Sequence, residues 1–529
     1  MNQYLLLTGV VIALCVLVNR YIEKLPVPSL LVFIALGMCF GENGLFRIPF
    51  DNYQAAEILC SVCLIFIMYY GGFGANVKQA RSVAAQSVLL STVGVVLTAL
   101  LVGAFAHYAL GLSWLEGMLT GSVIASTDAA SVFNMLRSQQ LNLKYNTASL
   151  LEIESGSNDP MSYMLTVVFT TLIAGQQISV PWMLAKQIVL GLLFGVLIGK
   201  ATVWLLNRFH FNMAEGETIF VLASALLAYA LPNILGGNGY LSVYICGIWM
   251  GNSSIPKKRN QVRFFDVLTG VAQMMIFFLL GLLVTPAKLS SVALPALLIM
   301  LFMTFVARPV ATTAILAPFR APARQIALVS WAGLRGVASI VFAIYAVLQQ
   351  IPMRYDLFNL VFCIVLLSIA LQGSLLPWMS RMLNMIDSSA DVRKTFNDYQ
   401  EESPLSFIKL QVEAGHPWEG QALQELPLPR GLLVSAILRQ KQVIAPNGKT
   451  RLQSGDLLVI AGNEFENRRN LTMEEIVLEK GHKWCGRTLG SLEMPKGSLV
   501  VLVQRPGEAI IPGGDTLLQP GDSLVMARF

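Results

Sequence analysis

The chain has 529 residues, of which 55% are hydrophobic and only 13% charged, with a formal net charge of +6 and a mean hydropathy of +0.62. Globular domains carry about 25% charged residues, so this composition excludes a soluble enzyme, a fibrous protein, a disordered chain and a secreted disulfide scaffold. Cys15, Cys39, Cys60, Cys63, Cys246 and Cys363 lie in apolar runs and only Cys485 lies beyond them, so no disulfide framework is indicated.

From Met1 to about Met382 the sequence is a series of apolar runs of roughly 17–27 residues, the length a helix needs to cross ~30 Å of hydrocarbon. The pattern predicts thirteen spans, at 4–20, 27–43, 53–71, 84–110, 114–137, 146–174, 181–206, 216–233, 236–252, 264–285, 291–316, 323–346 and 355–384. The N-terminus has no basic n-region and no small-residue cleavage site, so the first run is expected to persist as a helix. Loops after even-numbered spans hold only Arg47, Lys186, Lys288 and Arg354, whereas those after odd-numbered spans are rich in Arg and Lys, as in Lys257-Lys258-Arg259. The positive-inside rule then places the N-terminus outside and the C-terminal region in the cytoplasm. The basic residues read as topology signals, and no nucleic acid partner is expected.

The fifth span holds Ser126-Thr127-Asp128-Ala129-Ala130-Ser131. Small and hydroxyl-bearing residues around an acid make a weak helix, and a helix broken at membrane depth offers free carbonyls to a cation. The alternative is that Asp128 caps a span that starts later. The sixth span holds Glu152-Ile153-Glu154-Ser155-Gly156-Ser157-Asn158-Asp159-Pro160. On a helix Ser155 and Asp159 share one face, Glu154 and Asn158 the next, and Pro160 frees a carbonyl one turn earlier. Ser155, Asp159 and carbonyls from the broken fifth span make an all-oxygen candidate site suited to a hard cation, and one carboxylate suits Na⁺ or K⁺. Glu152 reads as a loop acid. Arg308, in Ala307-Arg308-Pro309, and Arg335, in Gly333-Leu334-Arg335-Gly336, are intramembrane cations that need partners. Glu154 is the first choice for Arg335. Spans four to six and eleven to thirteen read as matching units, each with an interrupted middle helix, as in inverted repeats.

These motifs, taken with the Ala-Arg-Pro and Gly-Leu-Arg-Gly helices, resemble the NhaP-type cation:proton antiporters of the monovalent cation:proton antiporter 1 family. The resemblance covers the whole apolar region. It implies a homodimer whose subunits each have a dimerisation half and a six-helix core that rocks to give alternating access. It implies that Asp159, Ser155, Asp128 and the Thr127 carbonyl hold the ion, and that Asn158 accompanies electroneutral exchange of one cation for one proton. Glu154 with Arg335 is then the stabilising ion pair and Glu152 belongs to the entry path. In such proteins the third span carries an acid before a Gly pair, where this chain has Tyr70 in Met68-Tyr69-Tyr70-Gly71-Gly72. A cation channel is the runner-up reading; an intramembrane hydrolase lacks its paired groups, because His107 and His210 lie at span ends away from the acids.

The expected architecture is an α-helical polytopic membrane protein of about 13 transmembrane helices, with inverted repeats and two broken crossing helices, in a bacterial inner membrane. A small α+β cytoplasmic domain follows. The expected boundaries are 1–386 for the membrane domain, 387–404 for a linker, and 405–466 and 467–529 for two repeats. Sliding the tail on itself by 66 residues matches about 23 of the 51 positions in 412–462 with 478–528, so two copies of one unit are present. Leu432-to-Leu438 and Leu457-to-Ala461 read as strands, with Pro-Asn-Gly and Ser-Gly-Asp turns between them. The recurrence of His416 at His482 favours a role in the fold over a metal site. Each copy resembles the TrkA-C subdomain of potassium-conductance regulators. That resemblance favours K⁺ over Na⁺ and implies a gate responding to a small ligand, with a cyclic dinucleotide as one candidate; a cytoplasmic dimerisation clamp is the other reading. No cofactor and no enzymatic activity are expected.

Overall fold

The structure is a computed structural model. It describes residues 29–42, 44–48, 50, 52–75, 82–128, 131–132, 143–209, 215–256 and 258–386, with isolated positions 9, 13, 14 and 17. In the tail it describes 405–413, 415–426, 428, 432–439, 442–444, 446–463, 472–478, 482–492, 498–505, 508–510 and 512–528. The chain divides into two units, Met1–Glu401 and Glu402–Phe529. The expected first span lies almost wholly outside the described residues, as do most of span five beyond Asp128 and the linker.

The first unit is helical: α1 (Ser29–Phe40), α2 (Tyr53–Gly74), α3 (Ala84–Leu110), α4 (Trp114–Val123), α5 (Thr147–Ile173), α6 (Val180–Arg208), α7 (Gly216–Ile234), α8 (Gly239–Gly251) and α9 (Lys258–Leu283). Then come α10 (Pro286–Phe319), α11 (Ala323–Trp331), α12 (Val337–Leu348) and α13 (Leu357–Met382). Among the described residues seven helices are long and apolar enough to cross a membrane, and three shorter apolar helices accompany them. Local chemistry sets the ends. Asn52 caps α2 by accepting the Ala55 N–H, and Ser113 and Glu116 exchange backbone hydrogen bonds in a capping box that starts α4.

Glycines set the closest approaches. A Cβ on Gly37 of α1 would lie 2.1 Å from the Phe278 carbonyl of α9, and one on Gly281 equally close to the Ile34 carbonyl. Gly72 of α2 and Gly247 and Gly251 of α8 meet the facing backbone in the same way. Small residues at such crossings replace the hydrophobic drive that lipid does not supply.

The expected matching units are visible in helix geometry. Both α3 and α10 carry a π-helical turn, Leu90–Gly94 and Met303–Ala307. Each leads to an interrupted helix: α4 stops at Val123, and α11 and α12 are separated by residues 332–336. A third π turn, Ser368–Gly373, lies in α13.

The second unit holds two four-stranded antiparallel sheets of one topology. The first is β1 (Leu405–Gln411), β2 (Leu432–Arg439), β3 (Gln442–Ile444) and β4 (Leu457–Asn463), in the order β1-β4-β2-β3. The second is β5 (Thr472–Val477), β6 (Ser498–Arg505), β7 (Glu508–Ile510) and β8 (Ser523–Arg528), in the order β5-β8-β6-β7. Both break register at one place, Val434/Ala436 and Val500/Leu502. Gly455 and Gly521 turn into β4 and β8 at φ of +90° and +93°, a conformation that costs glycine little. Val434, Ile437 and Leu458 core the first sheet, and Val500, Val503 and Leu524 the second.

Candidate cation site

The two interruptions meet. The Asp128 N–H donates to the Leu334 carbonyl at 2.8 Å, so the unwound segment after α4 crosses the one between α11 and α12. Unwound backbone leaves orphan polar groups that must find partners at membrane depth. Arg335 supplies two: its Nη1 donates to the carbonyls of Ala125 and Ser126, each at 2.8 Å, while its own amide donates to Ser368 Oγ. Ser368 donates to Gln372, and Gln372 to Thr304, so the π turns of α13 and α10 are joined behind the crossing.

The glycines of Gly-Leu-Arg-Gly have steric causes here. A Cβ on Gly336 would fall 2.1 Å from Asp128 Oδ2, and one on Gly333 would fall 2.6 Å from Arg308 Nε.

The α5 motif faces this crossing. Ser126 donates to Asp159 Oδ1. Ser155 donates to the Thr127 carbonyl and Asn158 Nδ2 to Thr127 Oγ1, each at 2.5 Å. Thus Asp159, Ser155, Asn158, Thr127 and Asp128 are gathered around one unwound strand of backbone. Thr127, Ser155 and Asn158 are buried, and Asp128 and Asp159 are half-buried. Asn158 works here as a neutral donor that orients Thr127.

The capping alternative for Asp128 is realised in part. Its carboxylate accepts the Ser131 N–H at 3.2 Å and the Ser131 hydroxyl at 2.6 Å, where helical backbone resumes at Ser131.

One expectation is corrected. Glu154 pairs with Arg308, Nη1 to Oε1 at 2.8 Å with both side chains buried, and not with Arg335. Arg335 lies beside the broken helix end, where its Nη1 serves the Ala125 and Ser126 carbonyls, while Arg308 reaches Glu154 from α10. Glu152 sits half-buried one turn before Gly156, close enough to Tyr244 to act on it electrostatically.

Several contributors lay beyond sequence reasoning. Tyr244 of α8 packs where Gly156 has no side chain, its ring 2.7 Å from a Cβ placed there. Asn238 donates to the Pro160 carbonyl at 2.9 Å. Tyr70 donates to Asp266 Oδ1 of α9 at 3.0 Å, so a carboxylate does stand beside the position where α2 lacks one. Ser131 and Tyr70 carried a signal in sequence, the one a hydroxyl three residues after an acid, the other a tyrosine before a glycine pair.

In the tail, Arg439 forks onto Asp456 (2.7 and 2.8 Å) and Arg505 onto Asp522 (2.7 and 3.1 Å), at equivalent places in the two repeats. The Arg439 fork holds the Asp456 carboxyl below the usual carboxylate range; for Asp522, burial opposes the shift and the Arg505 fork outweighs it. His416 Nδ1 accepts the Trp418 N–H and His482 Nδ1 the Trp484 N–H, which gives both histidines a structural task.

A match to the family described as "Sodium/hydrogen exchanger, transmembrane" spans residues 10–382, and matches to the TrkA-C domain span 408–464 and 473–527. The chain belongs to the sodium/hydrogen exchanger family. It is 34% identical over 472 residues to the K(+)/H(+) antiporter NhaP2 of Shewanella sp. (strain ANA-3), covering 88% of this chain and 82% of that protein. It is 32% identical over 445 residues to the K(+)/H(+) antiporter NhaP of Alkalimonas amylolytica, covering 83% and 77%. Its fold resembles the solved sodium proton antiporter MjNhaP1 from Methanocaldococcus jannaschii, with a TM-score of 0.64 at 24% identity, covering 72% of this chain and 98% of that one.

Proposed function

We propose that the protein exchanges a monovalent cation, K⁺ in preference to Na⁺, for protons, one for one and without net charge movement. The carrying observation is the placement of Asp159: a half-buried aspartate at the crossing, held by Ser126, with the Ser155 hydroxyl and the Thr127 carbonyl beside it. The Asp159 carboxylate binds either a proton or an alkali cation and is neutralised in both cases. The empty, ionised site is costly to move through a low-dielectric barrier, and this couples the two fluxes. Asp128, engaged by Ser131, and the Thr127 carbonyl complete the oxygen set. Arg335 holds the break open, and the Glu154–Arg308 pair fixes α5 against α10. The preference for K⁺ is supported by the similar NhaP2 and NhaP proteins, which are K(+)/H(+) antiporters.

The protein acts in this reading as a homodimer in a bacterial inner membrane, with its N-terminus outside and its tail in the cytoplasm. The tail regulates exchange through a small ligand, a cyclic dinucleotide being one candidate. The test is Asp159→Asn in reconstituted vesicles with an imposed pH gradient. Exchange of K⁺ and of Na⁺ is abolished; cation-driven gradient collapse that survives the substitution overturns the assignment.

A further inference from the structure

On the other side of Asp159 from Glu152 and Glu154, side chains from five helices converge. Tyr163 lies one turn beyond Asp159 on the same face of α5. Its ring lies 5.0 Å from Tyr240 of α8, 5.5 Å from Phe342 and 5.7 Å from Tyr345 of α12, between centroids. Tyr229 of α7 packs on Tyr240 at 4.9 Å. The Tyr240 hydroxyl donates to Ser61 Oγ at 3.2 Å, and Ser61 donates to Glu57 Oε1 at 2.9 Å, both on α2. Glu57 is half-buried and close enough to Tyr163, Tyr229 and Tyr345 to act on them electrostatically. The charge bias of the loops puts the start of α2, the end of α7, the start of α8 and the end of α12 at the outer face. Glu57 lies about one turn inside the start of α2, a helix apolar enough to span the membrane.

We propose that Glu57, Ser61 and Tyr240 form an outer cation site, from which the ion reaches Asp159 when the aromatic layer of Tyr163, Tyr240 and Tyr345 parts. The proposal rests on exchange at Asp159. Its chemistry is that of a hard monovalent cation: one carboxylate and two hydroxyls supply oxygens, and the tyrosine faces attract a partly dehydrated cation. The hydrogen-bonded order Glu57–Ser61–Tyr240 leads to the ring of Tyr163, one turn along α5 from Asp159.

The experiment compares right-side-out and everted membrane vesicles from a host without exchangers of its own, carrying wild type, Glu57→Gln or Ser61→Ala, with K⁺ and Na⁺ presented at either face. Glu57→Gln raises the half-saturating cation concentration at the outer face about three- to tenfold, more than it lowers the maximal rate, and leaves the inner-face value within twofold. Ser61→Ala gives the same sidedness with a smaller shift, and decides the matter alone if Glu57→Gln fails to accumulate. An equal shift at both faces, or no shift in either variant, overturns the outer site. Wild-type exchange and a silent Asp159→Asn in the same vesicles keep the main reading standing in that event.

Discussion

The guanidinium of Arg335 bridges the carbonyls of Ala125 and Ser126, two consecutive backbone groups that the unwinding of another helix has set free. With the Asp128–Leu334 backbone bond, it leaves the Thr127 carbonyl facing Ser155 at the site. The crossing is therefore held by groups other than those assigned to the ion.

Arg335→Met keeps the bulk and removes both donors. Each carbonyl left buried without a partner costs about 1–3 kcal/mol. The thermal midpoint in detergent falls and exchange is lost; Arg335→Lys restores part of the stability, since an ammonium keeps charge and N–H donors but not the length and planarity that set Nη1 between the two carbonyls. A midpoint unchanged in Arg335→Met contradicts the capping role.

Gly336→Ala drives a methyl group into the Asp128 carboxylate, whereas Gly270→Ala in α9 meets nothing within 4 Å. Exchange falls at least about tenfold in the first, the cost of roughly 1.4 kcal/mol or more of displaced geometry at the site, and stays at wild-type level in the second. Initial rates in vesicles check the pair.

Glu154→Gln and Arg308→Met each strand a buried charge and destabilise by about 3–5 kcal/mol. The double variant loses less than the sum, with a coupling of about 0.5–3 kcal/mol. The same cycle run between Glu154 and Arg335 gives a smaller coupling, because Arg335 answers to carbonyls. Denaturation midpoints of the four proteins in each cycle decide which arginine is the partner.

The tail carries an acid-sensitive pair in each repeat. Asp456 and Asp522 have carboxyls depressed in the folded state. Their contribution is fully present above the unfolded carboxyl value of about 3.9 and is lost as pH falls through the lower folded value. Hydrogen exchange of 432–463 in the full chain stays protected from neutral pH to about 4 and opens below it. Arg439→Gln, which removes about 2–3 kcal/mol of charged hydrogen bonding, weakens protection already at neutral pH, and in the first repeat more than in the second.

Much of the membrane fold was legible because apolar length is a strong signal: α5, α6 and α7 lie within a few residues of the runs read from composition. The two breaks were legible because Ser-Thr-Asp-Ala-Ala and Gly-Leu-Arg-Gly are poor helix formers. Which arginine meets Glu154 was not, since the choice depends on how α10 and the α11–α12 break are rotated toward α5. Tyr244, Asn238 and the Tyr70–Asp266 contact were hidden for the same reason: their partners lie tens to nearly two hundred residues away, with no local pattern. In the tail β2 and β4 were read from their apolar runs, whereas β1 and the three-residue β3 lacked the hydrophobic length to stand out.

The glycine crossings of α1 with α9 and of α2 with α8 decide where the molecule can shear. With carbonyls lodged in the space a single methyl would fill, a slide of one residue along either crossing collides with a Cβ, so each pair is welded. The α5–α8 boundary is closed in its own way, by the Tyr244 ring in the space at Gly156 and by the Asn238 amide on the Pro160 carbonyl.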